Sequence, residues 1–596
     1  MPRYTAPLRD MRFVLHELHN DAELAALPGY ADMTADLIDP VLEEAGKFAA
    51  EVLQPLNRSG DEEGCRFENG EVFTPKGFRQ AYEQFAAGGW VGISCAPEHG
   101  GQGMPVSVHM MIEEMISSAN LAFGMYPGLT HGAYKALEAH ATPALRQIFL
   151  PRMAAGEWGG TMCLTEPQCG TDLGLIRTRA APQPDGSYQL TGTKIFISSG
   201  EHDLTENNIH LVLARIDGAP RGIKGISLFV VPKYLVNADG SLGARNPVVC
   251  GAIEHKMGIK ASSTCVMNFD AATGWLVGEP DKGMRAMFTM MNAARQGVAI
   301  QGLGVAEAAY QGAVAYARER LQGRALSGPR YPDQPADPLL VHPDVRRMLL
   351  TMRANIEGAR ALGAWVSKAL DVSIKSEDPA ARQDADDLVA LMTPVLKASF
   401  TDIGLACANM GMQVFGGHGY IREHGMEQLV RDARITLIYE GTNGVQALDL
   451  VGRKLPAHGG RLLRQFFHPV SAFIEAHTQD AQLGVMAGQL GKAFGRLQQA
   501  TVHIMKAGLV TPEEAAAASS EYLRLFGLVA QGYMWARMAQ LAIRHIEAGD
   551  DAQGFYRAKA GTARFFFERL LPETGALLSA ILAGGAAMLE FDDALF

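Results

Sequence analysis

The chain has 596 residues, 47% of them hydrophobic and 20% charged, with a formal net charge of −11. That length implies about three or four domains at roughly 100 to 200 residues each, and the composition is that of a compact globular protein. The acidic excess gives no general attraction to phosphate backbones and argues against nucleic acid as a partner, while leaving room for a local basic pocket.

The opening MPRYTAPLRDMRFVL lacks the apolar core of a signal peptide, and no stretch reaches about 18 uninterrupted apolar residues, so the reading is a cytoplasmic protein. Residues 37–152 are helical in pattern, with apolar positions three and four apart in 37–53 and 106–118. At Trp158 short apolar runs begin: GGTMCLT, SYQLTGTKIFIS, IHLVLARI, ISLFVVP, CVMNFD and GWLVG, which read as a β domain. The helical period returns in 284–321, 343–372 and 394–415, the last with Thr393 as N-cap and Pro394 in the first turn, and a fourth helix falls near Val445. These read as a bundle, with a Pro/Gly/Asp-rich loop at 324–343. Beyond Pro456, the segments 481–507, 512–548 and 552–587 form a further all-α unit without visible chemistry. Cys65, Cys95, Cys163, Cys169, Cys250, Cys265 and Cys407 make no Cys-x-x-Cys pair and no ligand cluster, so neither a metal site nor a disulfide framework is expected.

Glu440 follows the apolar run 435–439 and precedes Gly441-Thr442-Asn443-Gly444, a sequence suited to a turn that presents a side chain from a rigid element. Beside Ile438 and Tyr439, a partly desolvated carboxylate gains strength as a base toward a weak carbon acid. Local sequence alone still favours a helix-cap or surface carboxylate by about three to one. Gln413-Val414-Phe415-Gly416-Gly417-His418-Gly419 lets backbone approach a ligand and offers amides to a phosphate, although a plain left-handed helix cap is favoured by about four to one. Thr165-Glu166-Pro167-Gln168-Cys169-Gly170-Thr171-Asp172 leaves a strand with hydroxyls and a glycine suited to a polar heterocycle and a pyrophosphate. A strand-end turn explains that segment almost as well.

Together with the strand Lys194-Ile195-Phe196-Ile197-Ser198, these motifs in this order resemble the acyl-CoA dehydrogenase family over about 37–455. The resemblance implies an α+β fold: an N-terminal helical domain, a middle β-barrel domain and a C-terminal four-helix bundle, here with an additional C-terminal all-α domain. The divisions are placed at 1–155, 156–281, 282–455 and 456–596. The start of the chain, the form KIFISSGEHD and the helical extension resemble a large bacterial branch of that family, which includes 3-methylmercaptopropionyl-CoA dehydrogenase and enzymes of ordinary fatty acyl-CoAs.

What the resemblance implies can be placed residue by residue. Met162, Leu164, Thr165, Gly170 and Thr171 line FAD, with Thr165 at the isoalloxazine and Thr171 near its pyrophosphate or the phosphates of the substrate. Phe196 and Ser198 cover the ring, the Phe standing where relatives commonly have Trp. Arg320 and Gln322, with Gln413 and Gly417, meet the pyrophosphate and adenine of FAD from a neighbouring subunit, which implies an oligomer. The aromatic residue usual near Gly323 is missing. Thr442 and Gly444 meet the adenosine part. Arg295, Tyr439 and Gly441 join Thr171 at the acyl-CoA, Arg295 having a buried pair with Glu440 or Asp432 as its alternative. Some relatives carry the base one residue before this arginine, where this chain has Ala294, which leaves Glu440.

The implied reaction removes the α-proton of a thioester with Glu440 and passes the β-hydrogen as hydride to flavin N5, giving trans-2-enoyl-CoA. The thioester oxygen sits between the Glu440 amide and a ribityl hydroxyl. Electron-transfer flavoprotein is the implied acceptor. An acyl-CoA oxidase shares these motifs, and a non-catalytic acyl-CoA or flavin-binding scaffold is the rival from another class. For the extension, Arg461, Arg464, Phe466 and Phe467 are the only local support for membrane attachment, and a solvated face is preferred by about four to one. It is expected instead to cover a bundle surface and leave a homodimer. Phe123, Tyr126 and Pro127, within 121–129 at the expected pocket floor, tilt the reading toward short or medium acyl chains.

Overall fold

The computed structural model describes residues 3–596, apart from the side chain of Asp21; Met1 and Pro2 of the opening segment lie outside the described residues. The chain forms two compact units. One comprises residues 47–104 and 119–297, and the other comprises residues up to 46, 105–118 and 298–596.

The first unit is built around a seven-stranded sheet. Its longest strand, Thr264–Val277, pairs with Tyr188–Ser198 through its first part and with Ser227–Pro232 through its last, with register shifts between. Because Ser227–Pro232 also pairs with Asn207–Ile216, and Arg179–Pro182 joins that strand to Tyr188–Ser198, five strands close into a ring without free edges. Val248–Ile253 and Trp158–Cys163 extend it, the latter parallel to Asn207–Ile216. The run IHLVLARI shows little polar alternation because it is buried on both faces. Val212 and Ala214 point into a core with Cys163, Phe229 and Met267, while Ile209, Leu211 and Leu213 face helical residues such as Tyr134, Leu137, Phe149 and Met287. CVMNFD and GWLVG prove to be halves of one bent strand, and Arg179–Pro182 and Val248–Ile253 are strands beyond the expected set.

In the second unit the helices Pro343–Lys375 and Pro379–Phe415 are the bundle's spine. The expected start at Pro394 is corrected: the helix begins at Pro379, where Asp378 Oδ1 accepts the Ala380 N–H at 2.9 Å, and it runs through Pro394 unbroken. Thr393 does not cap; its hydroxyl donates back to Val389 O at 2.7 Å inside the helix. Among the described residues, this helix lies in the one segment, Pro379–Tyr420, that is long and apolar enough to cross a membrane, but 78% of the apolar window is buried, so its neighbours are protein.

The extension packs on this bundle. Trp535, fully buried on Ser519–Ala548, donates Nε1–H to Ala354 O at 2.9 Å and lies over Gly358, where a β-carbon would come within 2.8 Å of the indole nitrogen. Arg461 holds Asp387 at 3.0 Å, and Phe466 is buried against Trp365 and Phe526, so neither is part of an exposed membrane-facing patch.

Deeper, Arg360 reaches Glu114 (Nε to Oε2 2.9 Å), Glu307 (2.6 Å) and Asp10, while Lys559 of the extension contacts Asp10 and Glu357 (2.7 Å to Glu357). Lys559 is 0% exposed, so Lys559→Met leaves two buried carboxylates short of a counter-charge. A loss of about 3–5 kcal/mol in unfolding free energy is expected, measured by urea denaturation.

Candidate active site

In the first unit, strand Trp158–Cys163 runs into a loop carrying Leu164, Thr165, Gly170 and Thr171. Glu166 organises that loop. Its carboxylate accepts the Arg177 N–H (2.6 Å), the Thr178 N–H (3.0 Å), the Thr178 hydroxyl (2.6 Å) and the Gln168 amide (2.6 Å). Lys194 donates to Glu166 Oε1 at 2.9 Å and to Leu164 O at 3.0 Å, both side chains being buried. Burial pushes the Glu166 carboxyl up, but Lys194 and the hydrogen bonds outweigh it and hold it at about 2. Burial lowers the Lys194 ammonium, and Glu166 offsets part of that shift.

Ile195 N–H donates to Thr165 O at 2.9 Å, which brings Phe196 and Ser198 beside this loop. Between Lys194 and Ile197 the pairing with Thr264–Val277 slips by a residue, and Phe196 takes φ +59°. A bulky side chain in that region is strained, and a bulge re-aims the side chain it carries. Here it leaves Phe196 59% exposed. Met162, Leu164, Thr165 and Ser198 are half-buried, while Gly170 and Thr171 are exposed. Arg295, on helix Gly283–Glu319, is buried in this unit, with Nη1 3.5 Å from Asn292 Oδ1.

The pocket-floor residues are otherwise engaged. Phe123 packs against Phe78, Tyr82 and Phe85, and the Tyr126 hydroxyl donates to Ala261 O at 3.0 Å and accepts the Ser263 N–H at 3.0 Å. Pro127 is buried. These contacts commit Phe123 and Tyr126 to the core of their unit and remove them as a basis for judging acyl length.

In the second unit, helix Met426–Thr436 ends in a turn that carries Tyr439, Glu440 and Gly441, and Thr442 caps the next helix, Asn443–Asp449, accepting the Val445 N–H at 3.3 Å. Glu440 (φ +56°) and Gly441 (φ +86°) are both left-handed. Such a pair reverses the chain sharply and costs energy at the non-glycine residue. The turn is held by buried Gln446, whose amide donates to Glu440 O and Gly441 O at 3.2 Å each; a β-carbon on Gly441 would come within 2.6 Å of that amide. Asn443 is fixed by Lys397 (3.0 Å) and Asp402 (2.8 Å). The Tyr439 phenol donates to Gln301, and burial, then the carboxylates of Glu440 and Asp432, push its pKa up, so it stays protonated. Glu440 itself is half-buried, and Thr442 and Gly444 are exposed.

Arg320 and Gln322 follow the helix end that carries Tyr316, and Gln413 and Gly417 lie two residues either side of Phe415. Tyr316 stacks on Phe415 with ring centroids 4.1 Å apart, and its hydroxyl meets His418 Nδ1 at 2.7 Å, joining the end of Gly283–Glu319 to the glycine-rich turn. Arg320, Gln322, Gln413 and Gly417 are exposed, and a β-carbon on Gly417 would meet nothing within 4 Å.

Each unit's donor set, taken by itself, fits one part of a ligand: a planar heterocycle in the first and a diphosphate in the second. An outward aromatic side chain beside threonine hydroxyls occupies one unit, and a guanidinium, two amides and open glycine backbone occupy the other. Among the described residues there is no group of three or more His, Cys, Asp or Glu arranged to hold a metal ion.

The chain belongs to the acyl-CoA dehydrogenase family, whose members are FAD-dependent oxidoreductases. Residues 39–157, 161–272 and 281–455 match the N-terminal, middle and C-terminal domains of acyl-CoA dehydrogenase, and 466–592 match the family described as acetyl-CoA dehydrogenase C-terminal like. The 3-methylmercaptopropionyl-CoA dehydrogenase of Ruegeria pomeroyi is 42% identical, covering 98% of this chain and 99% of that protein. A butyryl-CoA dehydrogenase of Syntrophomonas wolfei is 33% identical over 100% of this chain and 99% of its own. The fold matches that of an acyl-CoA dehydrogenase from Bacillus anthracis complexed with FAD, with a TM-score of 0.74, 21% identity and coverage of 93% and 89% of the two chains.

Glu166, Gln446 and Asn443 were not singled out by sequence. Glu166 and Asn443 stand inside the quoted motifs, but nothing local distinguishes a residue that holds a loop from one that faces a ligand. The Glu166 carboxylate is held well below the roughly 4.3 of an unfolded glutamate. Its stabilisation is therefore full above about 4.3 and is lost as pH falls through about 2. The stability gap between wild type and Glu166→Gln, followed by thermal melting from pH 7 downward, should hold constant to about pH 4.5 and then narrow.

Proposed function

We propose that this enzyme converts an acyl-CoA thioester to the trans-2-enoyl-CoA, with Glu440 as the base that takes the α-proton. The observation that carries this reading is the backbone at Glu440: a carboxylate on a strained left-handed turn, half-buried and braced by Gln446, is a preorganised side chain and not a casual surface acid. Ala294 offers no carboxylate at the alternative position, which leaves the role to Glu440.

In this reading Arg295, Tyr439, Gly441 and Thr171 surround the acyl-CoA, and the Glu440 amide donates to the thioester oxygen as enolate charge develops. Met162, Leu164, Thr165, Gly170, Thr171, Phe196 and Ser198 hold the flavin ring and its attached chain, while Thr442 and Gly444 meet the adenosine side. Arg320, Gln322, Gln413 and Gly417 serve the FAD of a second copy in a homodimer. FAD supplies the acceptor for the hydride lost from the β-carbon. The electrons then leave to an electron-transfer flavoprotein in the cytoplasm. Identities of 42% to a 3-methylmercaptopropionyl-CoA dehydrogenase and 33% to a butyryl-CoA dehydrogenase support a short or medium acyl chain or 3-methylthiopropionyl-CoA as substrate.

Anaerobic mixing of the holoenzyme with butyryl-CoA or 3-methylthiopropionyl-CoA should bleach the flavin, and Glu440→Gln should slow the bleaching by about 10²- to 10⁴-fold. Bleaching at the wild-type rate in that variant would remove Glu440 from the chemistry. With an artificial dye as acceptor, turnover across a panel of acyl-CoAs should proceed without oxygen. Stoichiometric hydrogen peroxide in air without dye would instead mark an oxidase.

A further inference from the structure

The loop joining Gly283–Glu319 to Pro343–Lys375 is organised by one residue. Asp337 is 0% exposed, and its carboxylate accepts the N–H groups of Ala325 (2.9 Å), Arg330 (3.1 Å to each oxygen) and Tyr331 (2.8 Å), with Arg324 Nη1 at 3.3 Å. Burial raises this carboxyl, and the three amides and Arg324 reverse the effect and hold it at about 2, so it is ionised throughout the working range. The Asp337 main chain grips the opposite side of the loop: its carbonyl accepts the Gln322 N–H and its N–H donates to Gly323 O, both at 2.9 Å. Leu339 N–H reaches Arg320 O at 2.9 Å, and Leu321 forms a bridge with Pro338. The bridge makes 320–322 extended, so Arg320 and Gln322, two apart, share a side. Both are exposed, and the Arg320 N–H donates to the carbonyl of Tyr316, whose ring stacks on Phe415 between Gln413 and Gly417.

We propose that Asp337 is a positioning residue that preforms the Arg320–Gln322 edge for the diphosphate and adenine of a dinucleotide cofactor. The proposal rests on the reading of Arg320 and Gln322 given above. Asp337 touches no ligand in this scheme. Its main chain sets the register of the edge, and its carboxylate anchors the rest of the loop so that the edge does not have to be ordered during binding.

The test uses the full-length protein, stripped of FAD and reconstituted, with FAD as the probe. Arg320→Ala and Asp337→Asn should each weaken the Kd for FAD by about tenfold or more, and the double variant should be no weaker than the worse single one. Once saturated with FAD, Asp337→Asn should show the wild-type flavin spectrum and kcat. Independently of any variant, the amides of 325, 330 and 331 in the wild-type apoprotein should be protected from hydrogen exchange before FAD is added. A Kd within twofold of wild type for Asp337→Asn, where Arg320→Ala is weakened, overturns the positioning role. Multiplying effects in the double variant, or exchange of those amides that slows only on adding FAD, also overturn it. If Arg320→Ala and Gln322→Ala both bind FAD normally, it is the reading of the edge that fails, and this proposal with it.

Discussion

Arg360 lies 1% exposed among Asp10, Glu114 and Glu307, and everything around it in the second unit is arranged to make that tolerable. A guanidinium removed from water is stable only if its donors are met, and here they are met by carboxylates on three separate segments: the N-terminal helix Leu8–Arg12, the helix that begins at Val106, and Gly283–Glu319. Lys559 repeats the device from the extension, sharing Asp10 and adding Glu357. Carboxylates crowd the cluster, and burial pushes Glu114 up to about 7 against the pull of Arg360. The bundle that carries Glu440 is thus built on a polar centre whose members come from the whole length of the chain.

Elsewhere a single buried carboxylate stands in for secondary structure. A loop leaves backbone amides without partners, and one carboxylate has lone pairs enough for several of them. Glu166 does this for the segment that carries Thr165, Gly170 and Thr171, and Asp337 for the loop behind Arg320 and Gln322. Asp371 does it for the start of the helix at Val106, accepting the Val106 N–H at 2.7 Å and the Ser107 N–H at 3.1 Å. In the first two cases the segment is irregular, and in the third it is a helix start; in all three the carboxylate meets amides that would otherwise lack partners.

Periodicity and punctuation made the long helices and most barrel strands legible, because their apolar spacing is set by the faces they bury. Pro394 misled because a proline at a first turn and a proline inside a tightly packed helix look alike in one dimension; only the packing around Pro379–Phe415 tells them apart. Val248–Ile253 escaped because VVCGAI is short and interrupted by a glycine at its bulge. The candidate site was marked by motifs, and the contacts that hold those motifs were not legible. Glu440 stood out, while Gln446, which braces its turn locally, and Lys397 and Asp402, which reach Asn443 from more than forty residues away, are ordinary polar residues in sequence. Phe123 shows the converse, an aromatic residue in a suggestive place whose ring is taken up by Phe78, Tyr82 and Phe85.

The contact between Asp10 and Lys559 also bears on how the protein is made. The two residues are separated by about 550 others, and at roughly 5–20 residues per second Asp10 leaves the ribosome about half a minute to two minutes before its partner exists. Throughout that interval the nascent N-terminal segment has no partner in the extension. Phe13, fully buried in the finished protein and packed edge-on against Phe555 and Tyr556, is equally without these neighbours. The segments of the barrel unit are all translated by residue 297, whereas the unit bearing Glu440 is completed last. The order of synthesis therefore makes the contacts of the N-terminal segment with the extension among the last that can form.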